Sequence, residues 1–312
     1  MLDGTRGRQS VSRDDLFIGR IGATGTFARA PHRVRSGSRG RCQDDRVRHD
    51  LVLSAFGATV PEVVEAAVTA EAAGFDGVWV FDHFSGAMLG RPWSLDPFVL
   101  LGAIAARTER VTLGPLVANV ANRHPAQLAS ALGALQTAAP GRVWCGIGSG
   151  ATPGSRFAGE MELIGRPIAD ADTRRAQVVE TIACLRAIWG GVPFEGRHYR
   201  VGAVAGIVPA GTELPPIVVG ASGPATVALA VASAHGVNIR DGARLAELVA
   251  RARGAAGPGF EISVFTAFEP EVPLGGDVER LATLGVDRRT LFASAPFDLH
   301  AIRSVGAQLA RT

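Results

Sequence analysis

The sequence predicts one large α/β domain, a (β/α)8 TIM barrel, and three observations carry that expectation. Short apolar runs rich in Val, Ile and Leu alternate with amphipathic stretches eight times between Asp50 and the end of the chain. Gly, Pro and capping residues fall between the runs, where strand must give way to helix. Eight strand–helix pairs over roughly 260 residues match the size of such a barrel.

The pairs can be followed in order. Leu51 to Phe56 reads as the first strand, and Thr59-Val60-Pro61-Glu62 fits a capping box with Pro in the first turn of a helix ending at Ala73. Gly74 tolerates the positive φ that ends a helix, and Val78 to Phe81 is short, apolar and β-prone. Asp96-Pro97 opens a helix over Phe98 to Arg107, Val111 to Val117 is the third strand, and His124-Pro125 opens a helix closed by Pro140-Gly141. Arg142 to Gly148 is the fourth strand. Two insertions follow: residues 149–171 read as a long aperiodic loop, and Val192 to Gly211 as an excursion bounded by Pro and Gly. Between them Asp172 to Trp189 is an amphipathic helix with Val178, Val179, Ile182, Leu185 and Ile188 on one side. Pro215 to Gly220, Val237 to Ile239, Phe260 to Phe268 and Thr290 to Ser294 are strands five to eight. Helices from Gly223-Pro224, Ala243, Asp277 and Leu299 complete the pairs.

Composition narrows the class. With 47% hydrophobic residues the 312-residue chain is globular, and the absence of an eighteen-residue apolar run or a secretory signal core leads us to expect a cytoplasmic protein. Cys42, Cys145 and Cys184 match no metal-ligand spacing, so neither a disulfide nor a structural metal is expected. The basic balance is local: residues 1–48 carry eleven Arg against five Asp, and the rest carries twenty-one Arg against twenty-four acids. We read 1–48 as a disordered Arg-rich extension and 49–312 as the barrel domain, with no nucleic-acid or membrane partner. There is no Lys, which excludes lysine Schiff-base catalysis.

Active sites of parallel barrels lie at the carboxyl ends of the strands. Asp82-His83 stands at the end of the second strand, an acid beside an imidazole that titrates near neutrality. Because neighbouring strand residues face opposite ways, a turn is needed before both face a ligand. Gly146-Ile147-Gly148-Ser149-Gly150 follows the fourth strand, but Pro153-Gly154 interrupts the helix that a dinucleotide fingerprint requires. Gly220-Ala221-Ser222-Gly223-Pro224 is a better anion seat, small residues leading directly into a helix N-terminus.

Five segments together resemble the luciferase-like flavin and deazaflavin oxidoreductases: Ala70 to Phe84, Arg107 to Gly114, Arg123 to Ala129, Gly141 to Gly150 and Phe194 to Tyr199. The resemblance implies a barrel that binds coenzyme F420, or FMN as the alternative, across the strand ends, commonly as a homodimer acting on a small-molecule substrate. It places Asp82, Asn119, Ser149, Gly150, Ser222 and Gly223 at the cofactor, the last two at its phosphate, and makes His83 the catalytic residue. The implied activity is F420-dependent hydride transfer to or from a small organic metabolite. The alternatives are an FMN-dependent monooxygenase served by a partner reductase, and a barrel that binds a ligand without catalysis. Two departures stand out. Ala151 occupies the position where sugar-phosphate-oxidising members carry a second catalytic glutamate, and Ala234-His235-Gly236 replaces the usual Ala-Asp-Gly.

Overall fold

The computed structural model describes residues 46–202, 204–271 and 275–309. Cys42 and the Arg-rich stretch up to residue 45 lie outside them, and so does the expectation of disorder there. β1 (Arg48–Leu53) leads into α1 (Val60–Ala72), and β2 (Gly77–Val80) into α2 (Pro97–Ala105) through a 3-10 turn at Ala87–Leu89. β3 (Thr112–Pro115) and the two-residue β4 (Ala118–Asn119) precede α3 (Pro125–Ala138). β5 (Cys145–Gly148) precedes the short α4 (Ala158–Leu163) and the long α5 (Ala171–Trp189). A hairpin of β6 (Phe194–Glu195) and β7 (Arg200–Val201) separates α5 from β8 (Ile217–Ala221) and α6 (Pro224–Ser233). The chain ends with β9 (Gly236–Arg240), α7 (Leu245–Ala255), β10 (Glu261–Ala267), α8 (Gly275–Leu284), β11 (Arg288–Ala293) and α9 (Leu299–Leu309).

Nine strands form one sheet in the order β3-β2-β1-β11-β10-β9-β8-β5-β4, every pairing parallel. Its ends meet where Leu113 bridges Val143, and the Trp144 N–H donates to the Leu113 carbonyl at 2.9 Å, so the sheet curls into a barrel. Outside it the helices α1, α2, α3, α5, α6, α7 and α8 touch in that order, and α9 packs on α1. The helix starts follow the sequence: the Thr59–Glu62 capping box is present, the Asp96 and Asp170 side chains cap α2 and α5, and His124 caps α3 with Gln127 reciprocating. Gly74, at φ 92°, follows α1 as expected.

The two-residue period of the strands divides their side chains between two cores. Leu51 and Leu53 belong to the large core between sheet and helices, whereas Val52 joins Trp79, Leu116, Trp144 and Val218 in a second cluster inside the barrel. Below that cluster the interior is polar. Arg288 donates to both oxygens of Asp50 at 2.6 and 2.7 Å and to Glu261 at 2.9 Å, and the Trp79 indole donates to Asp50 at 2.6 Å. Above it Phe81, Phe265 and Phe292 contact one another with ring centroids 5.3 to 6.0 Å apart, an aromatic floor beneath the mouth.

Three expectations need correction. Val179 is 43% exposed, because the buried arc of α5 is narrower than its apolar stripe. The insertion at 149–171 is not wholly irregular, since α4 lies within it. The third strand stops at Pro115, where the Leu116–Val117 peptide is cis, and resumes as β4. Among the described residues no helix is long and apolar enough to cross a membrane.

Candidate active site

β2 ends at Val80, so Asp82 and His83 lie in the turn beyond it and are free to diverge. They do. Asp82 is buried and points toward β4: it accepts from the Asn119 N–H at 3.0 Å and from Arg123 at 3.4 Å, while Asn122 donates to its carbonyl at 3.4 Å. Burial pushes the Asp82 carboxyl above the usual range, opposed by the Arg123 guanidinium and the Asn119 N–H. Arg123 also pairs with Asp96 at 2.6 Å and lies over the Phe98 ring. Asp82 therefore locks the β2 turn to β4 and makes no hydrogen bond to His83.

His83 turns instead to α4. Its Nδ1 lies 2.7 Å from Glu160 Oε2, and the other oxygen of that carboxylate accepts from the Phe84 and Ser85 N–H groups at 3.2 and 3.1 Å. Glu160 is 2% exposed, and the imidazole and these two N–H groups are its hydrogen-bond partners. An ionised carboxylate can only accept, which puts the ring proton on Nδ1 and leaves Nε2 for a ligand. The imidazole is boxed by aromatic rings: Phe157 stacks on it at 4.2 Å, and Phe56 and Phe81 lie 5.2 and 6.0 Å away. Partly exposed, boxed and tied to a buried carboxylate, His83 can take or give a proton at one defined nitrogen.

Glu160 is the residue that sequence reasoning missed. The expected second acid after the glycine turn is absent, Ala151 standing there, and a glutamate reaches the imidazole from a helix nine residues further on. Its only sequence signal is the run Glu160-Met161-Glu162-Leu163 of good helix formers inside an otherwise aperiodic stretch. His235, the other departure, is structural: its Nδ1 accepts from the Ile217 N–H at 2.9 Å, joining the starts of β8 and β9.

The remaining expected residues are distributed around the mouth. Asn119 and Gly150 touch, since a Cβ on Gly150 would lie 2.5 Å from Asn119 Oδ1 and the residue has φ 75°. Ser149 and Gly150 border a cavity of about 320 Å³ that also receives Arg123, Arg166, Arg174 and Tyr199. Ser222 and Gly223 follow β8 on another arc, and α6 starts at Gly223 with no side chain capping it. Across the mouth, a Cβ on Gly148 would lie 2.3 Å from Val117 Cγ2 and one on Gly220 3.1 Å from Val117 Cγ1, so these glycines let Val117 project over the barrel.

This parallel barrel, with its site at the strand ends and its excursions after β5 and α5, has relatives of known name. Residues 25–268 match the model of the luciferase-like monooxygenase family. The chain belongs to that family. Within it, the chain is 36% identical over 184 residues to an F420-dependent glucose-6-phosphate dehydrogenase of Nakamurella multipartita, a match over 56% of this chain and 50% of that protein. A protein of the same name from Nocardia farcinica is 34% identical over 212 residues, 64% of this chain and 52% of the relative. The chain thus spans about half the length of the curated relatives it matches. Among solved folds, an F420-dependent secondary alcohol dehydrogenase holding an F420–acetone adduct superposes over 84% of this chain and 98% of its own, with TM-score 0.69 and 18% identity. The FMN-bound oxygenating constituent of 3,6-diketocamphane monooxygenase of Pseudomonas putida superposes over 86% of this chain and 99% of its own, with TM-score 0.65 and 18% identity. At that identity both describe the luciferase-like fold alone.

Proposed function

We propose that this luciferase-like barrel is an F420-dependent oxidoreductase that moves a hydride between the deazaflavin and an alcohol or carbonyl carbon of a small organic metabolite. The observation that carries the reading is the His83–Glu160 pair, an imidazole oriented by a buried carboxylate at the carboxyl end of β2. The names of the relatives support the choice of coenzyme.

The residues present fit such a group. Phe81, Phe265 and Phe292 offer an apolar floor for a planar ring, and Gly148 and Gly220 keep side chains away from Val117 above it. The uncapped start of α6 at Ser222-Gly223 leaves backbone N–H groups for a phosphate. When bound, the coenzyme supplies two-electron hydride chemistry. His83 supplies the proton transfer: Nε2 takes the hydroxyl proton during alcohol oxidation, or returns it to the carbonyl oxygen in the reverse direction. Glu160 holds Nδ1–H throughout, balancing the positive charge that His83 gains. Phe157 covers one face of the ring and Phe56 packs beside it, against both His83 and Phe157.

Ala151 in place of the expected glutamate argues for a substrate unlike that in the names of the curated relatives. A homodimer, and a second oxidoreductase that recycles the coenzyme, belong to the same proposal. The test is an anaerobic screen of secondary alcohols and sugar phosphates, following F420 absorbance. At least one alcohol should reduce the coenzyme, and His83→Ala should lower turnover on it by roughly 10²-fold or more with little change in coenzyme affinity. Unchanged turnover in that variant sinks the assignment of His83. Oxygen-dependent turnover with reduced FMN alone would replace the reading by monooxygenation.

A further inference from the structure

The cavity beside Ser149 and Gly150 is electrostatically unbalanced. Arg123, Arg166, Arg174 and His198 line it, and no Asp or Glu does. Arg123 is neutralised by Asp82 and Asp96. Arg174 is not. It is 8% exposed, its Nη1 donates to the carbonyls of Ala151 at 2.7 Å and Gly150 at 3.4 Å, and its Nε has no partner. Among the described residues it enters no ion pair. His198 Nε2 is likewise buried without a partner. Arg166 stands exposed at the rim, donates through its Nη1 to the Ala121 carbonyl at 2.6 Å and, among the described residues, enters no ion pair. The nearby Glu180 is committed, accepting from the N–H groups of Arg197, His198 and Tyr199.

A guanidinium withdrawn from water is costly unless an anion pairs with it, and carbonyl oxygens satisfy its N–H groups without cancelling its charge. The planar fork of an arginine matches the oxygens of phosphate and carboxylate. We infer that this cavity binds an oxyanion, phosphate or carboxylate, seated on Arg174 with Arg166 and His198 completing the seat. The site is separate from the Ser222-Gly223 turn. Two sources present this chemistry: the anionic tail of the coenzyme, in which case the inference rests on the reading above, or an anionic substrate. The lining by Ser149 and Gly150 favours the tail.

The experiment measures thermal unfolding of the full chain in increasing inorganic phosphate at constant ionic strength. The wild type should gain Tm saturably, Arg174→Met should lose the gain, and the exposed Arg166→Gln should weaken it while retaining a wild-type fold. Fluorescence titrations with F420, and with its deazaflavin chromophore lacking phosphate and glutamates, separate the sources. If the tail occupies the cavity, Arg174→Met weakens F420 binding roughly tenfold or more and leaves the chromophore within about twofold. If the substrate does, coenzyme affinity is unchanged and the KM of anionic substrates alone rises. Phosphate stabilisation in a protein that binds no F420 keeps the site and removes the coenzyme reading. No phosphate-dependent gain in the wild type, or an equal gain in both variants, overturns the inference.

Discussion

Replacing Glu160 separates its two duties. Glu160→Gln keeps one oxygen for the Phe84 and Ser85 N–H groups but presents an NH2 to His83 Nδ1, where a carboxylate oxygen now lies at 2.7 Å. That donor forces Nδ1 to accept, so the ring proton moves to Nε2 and His83 can no longer take a proton there. Losing a charge-assisted hydrogen bond is worth about 1.5–3 kcal/mol, so turnover should fall roughly 10- to 100-fold while stability changes little. Glu160→Ala adds a second effect, because two backbone N–H groups lose their acceptor in a place where Glu160 was 2% exposed. At about 1–3 kcal/mol each, that variant should unfold measurably earlier. The assay needs no substrate: 15N NMR of labelled histidine, at a pH where the ring is neutral, reports which nitrogen carries the proton. The wild type should show His83 protonated on Nδ1 and Glu160→Gln on Nε2. A wild-type ring protonated on Nε2, or a spectrum unmoved by the substitution, would refute the assignment.

Other consequences follow from the barrel interior and its lower end. His49 is 2% exposed, and burial, then the nearby Arg289, push its imidazole down to about 4. The folded value lies below the unfolded one, so the contribution is fully present above about pH 6.5 and is lost as pH falls toward 4, up to about 3 kcal/mol. Urea unfolding of His49→Gln across that window should show a correspondingly weaker pH dependence, and an unchanged slope would count against it. Arg288→Met leaves the buried Asp50 carboxylate without a cationic partner, while Glu261 keeps Arg48, and should cost about 3–5 kcal/mol by denaturant titration, whereas a loss below about 1 kcal/mol would mean the network is not coupled. Gly148→Ala places a Cβ 2.3 Å from Val117 Cγ2 and should cost about 1–3 kcal/mol. A variant as stable as the wild type would show that Val117 swings aside freely.

The barrel was legible because each unit is locally consistent. Thr59, Pro61 and Glu62 mark one helix start without help from elsewhere, Gly74 marks its end, and Val78 to Val80 is β-prone in any context. The boundaries shifted by a few residues where pairing partners decide them: β11 begins at Arg288 because Asp50 and Glu261 give that arginine a buried partner on each side. The site was legible where a strand end marks it, as at His83, and illegible where the insertion at 149–171 meets distant parts of the chain. Glu160 reaches His83 across 77 positions of sequence, and Arg174 reaches Ala151 across 23. No local pattern encodes either approach. The sequence sets an acid beside an imidazole at Asp82-His83, but the turn after β2 sends the two side chains to different partners, Asn119 and Glu160.

The proposal that this luciferase-like barrel uses a deazaflavin is tested most directly by equilibrium fluorescence titration of the purified protein with F420 and, side by side, with FMN. F420 should bind saturably and more tightly than FMN, and Gly223→Glu, which sets a negative charge at the start of α6, should weaken it. Failure of the wild type to bind either molecule would contradict the proposal outright, and tighter binding of FMN would transfer the chemistry at His83 and Glu160 to a flavin.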